Sequence, residues 1–139
     1  MSLRTRALLP LSIAFTLAAP AVAIDWQPFA ERDVVEILTR DADGSVRETK
    51  VWIVVLDGAG YVRTNDSRWL ANIRRGSEVE LRLDANVSPV RATEREDPEL
   101  RERVEAGFRA KYGLMQRVMS ALRISEPTLL ELQAPRSEP

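Results

Sequence analysis

Val51-Trp52-Ile53-Val54-Val55-Leu56, then Asp57-Gly58-Ala59-Gly60, then Tyr61-Val62-Arg63-Thr64 is an apolar run, a tight-turn sequence and a second extended run. Six consecutive apolar residues, three of them valine and one isoleucine, predict a strand that is buried on both faces or closes a small barrel. The Asp-Gly pair predicts a sharp reversal into a partner strand. Asn65-Asp66-Ser67 then offers capping side chains to a short helix over 68–75, whose Trp69, Leu70 and Ile73 form an apolar stripe. Gly76 ends that helix.

Working outward, Val34 to Thr39 is rich in β-branched and large apolar residues, and Asp41-Ala42-Asp43-Gly44-Ser45 separates it from the central run, so the two form a hairpin. Val79, Leu81 and Leu83 alternate with Glu80, Arg82 and Asp84, the pattern of a half-buried strand. Asn86 to Thr93 is a further strand, and its Pro89 belongs at an edge or a bulge because it donates no ladder hydrogen bond. Asp97-Pro98 starts a second helix with Leu100, Val104 and Phe108 on one face, closed by Gly113. Leu114, Met115, Val118, Met119 and Leu122 make another helical stripe. Thr128 to Leu132 is a last strand, and 133–139 a frayed tail. About six strands and about three short helices, with most strands adjacent in sequence, predict a mainly β fold with peripheral helices (α+β), a small antiparallel barrel.

Residues 1–23 have the form of a secretory signal: Arg4 and Arg6 near the start, an apolar stretch from Ala7 to Ala19, and Ala21-Val22-Ala23 before the expected cleavage. The apolar stretch is short and broken by Pro10 and Pro20, which disfavours a stable membrane anchor. The expected product is a periplasmic or secreted domain over 24–132. Among its 139 residues the chain has no cysteine, which excludes disulfides, thiol chemistry and a lipidated N-terminal cysteine. Loss of Arg4 and Arg6, with no acid removed, takes the formal net charge from −1 to −3. A nucleic-acid binder would carry a basic excess instead.

The chain also has no histidine, which removes Ser-His-Asp triads, histidine metal sites and imidazole acid–base chemistry together. Asp41-Ala42-Asp43-Gly44 resembles the start of a calcium loop, but Trp52 stands where that loop needs its bidentate glutamate, so no metal is expected. The segment that can bind a ligand is the strand-to-helix junction. Arg63 and Arg68 offer fixed positive charge, and Thr64 and Ser67 offer hydroxyls suited to a phosphate. The same residues also suit purely structural roles: Ser67 or Asp66 as helix cap, Arg63 and Arg68 as partners of Glu78 or Glu80. Trp52 and Trp69 are large flat faces on which a ring system could stack, or core anchors.

The ordered set of Val51 to Asp57, Tyr61-Val62-Arg63-Thr64, Ser67-Arg68-Trp69 and Arg74-Arg75 resembles the FMN-binding split β-barrel superfamily. That superfamily comprises pyridoxamine-phosphate-oxidase-like and deazaflavin-dependent nitroreductase-like proteins, and the likeness extends to small bacterial members of unknown function. Asp97-Pro98-Glu99-Leu100, Arg103-Val104 and Lys111-Tyr112-Gly113 are similar to the helix after the fifth strand in those proteins. The resemblance implies a homodimer with FMN or a deazaflavin between two barrels. It also implies phosphate contacts from Arg63, Thr64, Ser67 and Arg68, with Trp69 flanking and Asn72 nearby. A flavin-dependent oxidoreductase is the activity so implied. The alternative is a non-catalytic periplasmic ligand-binding or protein-interaction module that has lost the cofactor. Family members that bind haem exist, but an absence of histidine disfavours ordinary haem ligation.

Overall fold

A computed structural model describes residues 23–113 and 126–136. The expected signal sequence, apart from Ala23, and the stripe from Leu114 to Leu122 lie outside these residues, as does the end of the tail from 137 on. Among the described residues, seven strands form one sheet: β1 Val34–Arg40, β2 Val46–Trp52, β3 Val54–Leu56, β4 Ala59–Thr64, β5 Val79–Leu83, β6 Asn86–Arg95 and β7 Thr128–Gln133. Three helices accompany them: α1 Gln27–Glu31, α2 Arg68–Arg74 and α3 Pro98–Tyr112. The strand order is β2-β1-β5-β6-β7-β4-β3, with every neighbouring pair antiparallel. The two end strands are consecutive in the chain, so the sheet curls until its edges meet through Ile53. The fold is the expected mainly β, split antiparallel barrel.

The apolar run 51–56 is therefore one length of chain serving two strands. Through Trp52 it pairs with β1, and from Val54 it pairs with β4. Ile53, fully buried between them, has no ladder partner. Its N–H is accepted by the Tyr112 hydroxyl at 3.0 Å, and its carbonyl receives the Lys111 ammonium at 2.7 Å. The end of α3 thus satisfies the backbone exactly where the sheet switches sides, as buried peptide groups require. Lys111 also donates to the carbonyls of Arg32 and Phe29, at 2.6 and 3.3 Å, and burial pulls its pKa below the ordinary lysine value.

Alternation along the strands sorts the core into two parts. Val62 of β4 and Leu130 and Leu132 of β7 point into the barrel with Ile37, Ile53, Leu70 and Leu81. Ala59 and Tyr61 of β4 and Leu129 of β7 point the other way, against Leu100, Val104 and Phe108 of α3. β4 and β7 are hence buried on both faces along much of their length, which explains why Ala59 to Val62 and Leu129-Leu130 are apolar at consecutive positions. Asp57 and Gly58 both have positive φ, 49° and 76°, the hallmark of the tight hairpin turn expected from the Asp-Gly pair. α3 lies close on β3: a Cβ at Gly107 would come within 2.8 Å of Val54 Cγ1.

Several expectations shift. β2 starts at Val46, five residues earlier than the apolar run, because Arg47 to Lys50 pair with β1 on the open side of the hairpin. Gln133, expected in the tail, ends β7 opposite Arg91. α1 carries no strong periodic signal in its five residues and is anchored by Phe29 alone among its buried side chains. Pro89 lies in the half of β6 whose only strand neighbour is β5, since β7 pairs from Arg91 onward.

Candidate functional site

The register of β4 decides where Arg63 goes. Being two residues from Tyr61, it shares that residue's face and points to α3 rather than into the barrel. Its guanidinium lies 3.6 Å from the centroid of the Phe108 ring, and Nη1 donates to Glu105 Oε2 at 2.6 Å. The side chain is 5% exposed, so this is a positive charge held below the surface against the Phe108 ring and the Glu105 carboxylate. Arg63 also forms one wall of a cavity of about 290 Å³, lined further by Thr49, Lys50, Trp52, Thr64, Trp69 and Phe108. β2, β4, α2 and α3 each contribute to it.

The rest of the junction is built locally. Thr64 Oγ1 lies 3.0 Å from Ser67 Oγ and 2.8 Å from the Asn65 carbonyl, so the loop is tied to itself. Ser67 is the N-cap of α2: its Oγ accepts from the Leu70 N–H at 3.3 Å. That is the capping role foreseen for it or for Asp66. Trp69 and Leu70 then enter the core, with Trp69 edging the cavity.

Of the six residues expected at the site, Arg63, Thr64 and Trp69 share the cavity, and Ser67 adjoins through Thr64. Arg68 is exposed, lines no part of the cavity, and acts on Asp41 of the β1–β2 turn through its charge. Asn72 is buried, lines no part of the cavity and faces β1. Its amide nitrogen donates to Thr39 Oγ1 at 3.0 Å and Asp41 Oδ1 at 2.9 Å, and its oxygen accepts from Arg75 at 2.7 Å. These bonds pin α2 to β1. Asp41 is further held by Arg47, at 2.8 and 2.9 Å, and its carboxyl pKa lies below the usual value, chiefly through the Arg47 hydrogen bond.

Sequence reasoning assigned no chemistry to the charged face of α3, yet α3 supplies both Phe108 and Glu105 to Arg63. Glu105 and Phe108 are three residues apart, the helical spacing that lets two side chains reach one target. Without the register of β4, nothing identified that target. Trp52 stacks on Tyr112, with centroids 4.3 Å apart and planes 5° from parallel, which leaves the cavity with a rigid aromatic edge.

The DUF2255 model, describing an uncharacterized protein conserved in bacteria, matches residues 25–129. The chain belongs to the DUF2255 family. That match runs from α1 to the first two residues of β7, and covers all the cavity residues of this DUF2255 domain. No functionally curated protein matches the sequence. Solved structures do match in fold. An F420-H2 dependent reductase aligns with a TM-score of 0.58 at 19% identity, covering 73% of this chain and 95% of that one. HutZ, the heme storage protein of Vibrio cholerae, aligns with a TM-score of 0.62 at 18% identity over 78% and 86%. A candidate pyridoxamine 5′-phosphate oxidase from Lactobacillus delbrueckii aligns with a TM-score of 0.53 at 19% identity over 77% and 84%. The DUF2255 chain thus has the split-barrel fold that its sequence resembles.

Proposed function

We propose that this protein binds a flavin or deazaflavin in the Arg63 cavity and acts as an exported oxidoreductase. The observation that carries the reading is the buried Arg63 guanidinium set among aromatic rings on a split barrel. The donor set suits such a ligand. The half-buried Trp52 and the edge of Trp69 offer apolar surface, while Arg63, the Thr64 and Ser67 hydroxyls and the exposed Lys50 ammonium offer partners for an anionic tail. The cavity's 290 Å³ sits at the lower end of the roughly 300–1,000 Å³ usual for ligand pockets. One chain would therefore wrap part of the ligand, and a second copy facing it would complete the site, which is the reason to propose a homodimer.

A bound flavin would supply the hydride-transfer chemistry itself. The chain's own residues would bind and orient it: Arg63 and the hydroxyls holding the anionic end, the rings limiting water and fixing the plane. The fold relatives named above, an F420-H2 dependent reductase and a candidate pyridoxamine 5′-phosphate oxidase, support this reading.

Titration of the protein with FMN, FAD, a deazaflavin and riboflavin tests it. FMN at about 100 times its dissociation constant should stabilise the fold by about 2.7 kcal/mol. Arg63→Ala should abolish most of that shift, and Arg68→Ala, at an exposed position, should reduce it far less. No stabilisation by any of the four would reject the flavin reading in favour of a non-catalytic binding module. Export is tested separately: protein recovered from outside the cytoplasm should begin at Ile24. An N-terminus at Met1 on protein confined to the cytoplasm would reject it.

A further inference from the structure

We propose that Glu105 is a stand-in anion, occupying Arg63 until a ligand's phosphate displaces it, and so sets how strongly the site prefers a phosphorylated flavin over an unphosphorylated one. The proposal rests on the flavin reading above and adds the control of its anion subsite. Arg63 Nη1 and Glu105 Oε2 are 2.6 Å apart, a charge-assisted bond at the short end of the range. The two partners are unequally buried, 5% exposed for Arg63 and 21% for Glu105. Arg63 is fixed on β4, paired there with Leu129 of β7, and packed against Phe108, whereas Glu105 stands on the outer helix, nearer solvent. If one partner moves, it is the carboxylate.

A place exists for it to go. Arg101 lies four residues before Glu105 and Arg109 four after, so each is a neighbour on the helix surface. Arg109 is exposed and now spans to Glu102 at 3.2 Å, a long surface contact that is readily exchanged. A ligand phosphate arriving at Arg63 would replace one oxyanion by another at the same guanidinium, while Glu105 turned to Arg109. Without that turn the phosphate would face a carboxylate, and like charges a few ångströms apart in a half-buried site repel strongly. An unphosphorylated flavin would lie on the rings and leave the pair intact. The cavity therefore discriminates by charge through Glu105, and the wild-type protein holds phosphorylated ligands less tightly than its arginine alone would allow.

Binding of FMN, riboflavin and inorganic phosphate to full-length wild type, Glu105→Gln and, as a control at an exposed acid of the same helix, Glu99→Gln tests this. Glutamine keeps an acceptor for Arg63 and removes the negative charge. Glu105→Gln should bind FMN at least about tenfold more tightly, with riboflavin unchanged, and Glu99→Gln should match wild type. Equal changes for FMN and riboflavin, or no change for FMN, would overturn the proposal and leave Glu105 a structural counter-ion. If neither flavin binds either protein but phosphate stabilises Glu105→Gln more than wild type, the stand-in role holds and the flavin reading falls. Absence of any phosphate response in both would overturn the stand-in role as well. Glu105→Ser, read by the same ratios, serves if Glu105→Gln does not fold.

Discussion

Phe108→Ala is expected to destabilise the domain by about 3–5 kcal/mol, the usual cost of deleting a fully buried aromatic ring. Phe108 is 1% exposed and packs with Val54, Tyr61, Val104 and Leu129 in the layer that fastens α3 to the barrel. The substitution also removes the ring under Arg63, at 3.6 Å, so part of the loss comes from a buried charge left with less cover. For a domain of this size the melting temperature should fall by more than about 10 °C. Phe108→Leu, which refills much of the volume, should cost less than half as much. Urea unfolding of the two variants gives the comparison. A loss below about 1 kcal/mol for the alanine variant would mean that α3 is not held by this layer, and the site built on it would lose its support.

The second large effect concerns the chain's two tyrosines, Tyr61 and Tyr112. Burial, the leading cause for both, pushes each up to about 12; for Tyr61 the hydrogen bond to Glu131, at 2.9 Å, adds to it. A phenol whose folded pKa is raised contributes stability that is complete below the unfolded value of about 10 and is lost as pH rises from there towards 12. The native protein should therefore show no tyrosinate absorbance step near pH 10. The signal should instead appear together with the loss of fold as pH 12 is approached, and in denaturant it should appear at about 10. Tyr61→Phe should halve the signal and leave Glu131 bonded to Arg95 at 2.8 Å. A reversible step at about pH 10 in the folded protein would show that both hydroxyls face water, contrary to the structure.

Tyr112 also illustrates how far local sequence reasoning reaches. Its place at the end of an amphipathic helix with Leu100, Val104 and Phe108 follows from spacing alone. That its hydroxyl, 59 residues away in sequence, would accept the N–H of Ile53 is not inferable from any window of residues. The contact exists because the strand switches partners there, and the switch exists because the sheet closes on itself.

The same division runs through the site. Composition alone removed histidine and thiol chemistry, turn residues marked the hairpins, alternation marked β5, and Asp97-Pro98 marked the start of α3, because each of these depends on residue type or on neighbours a few positions away. Which face of β4 Arg63 takes depends on register across three strands, and a slip of one residue would have sent it into the barrel. Asn72, one helical turn from Arg68, sat in the right segment but is turned to β1, where Thr39 and Asp41 claim it. Glu105, one acid among many on a charged helix, became part of the site only when α3 was laid across β4. Residue type and short-range periodicity determined the elements and the chemistry that was possible. Side-chain direction, set by long-range pairing and packing, decided which residues meet.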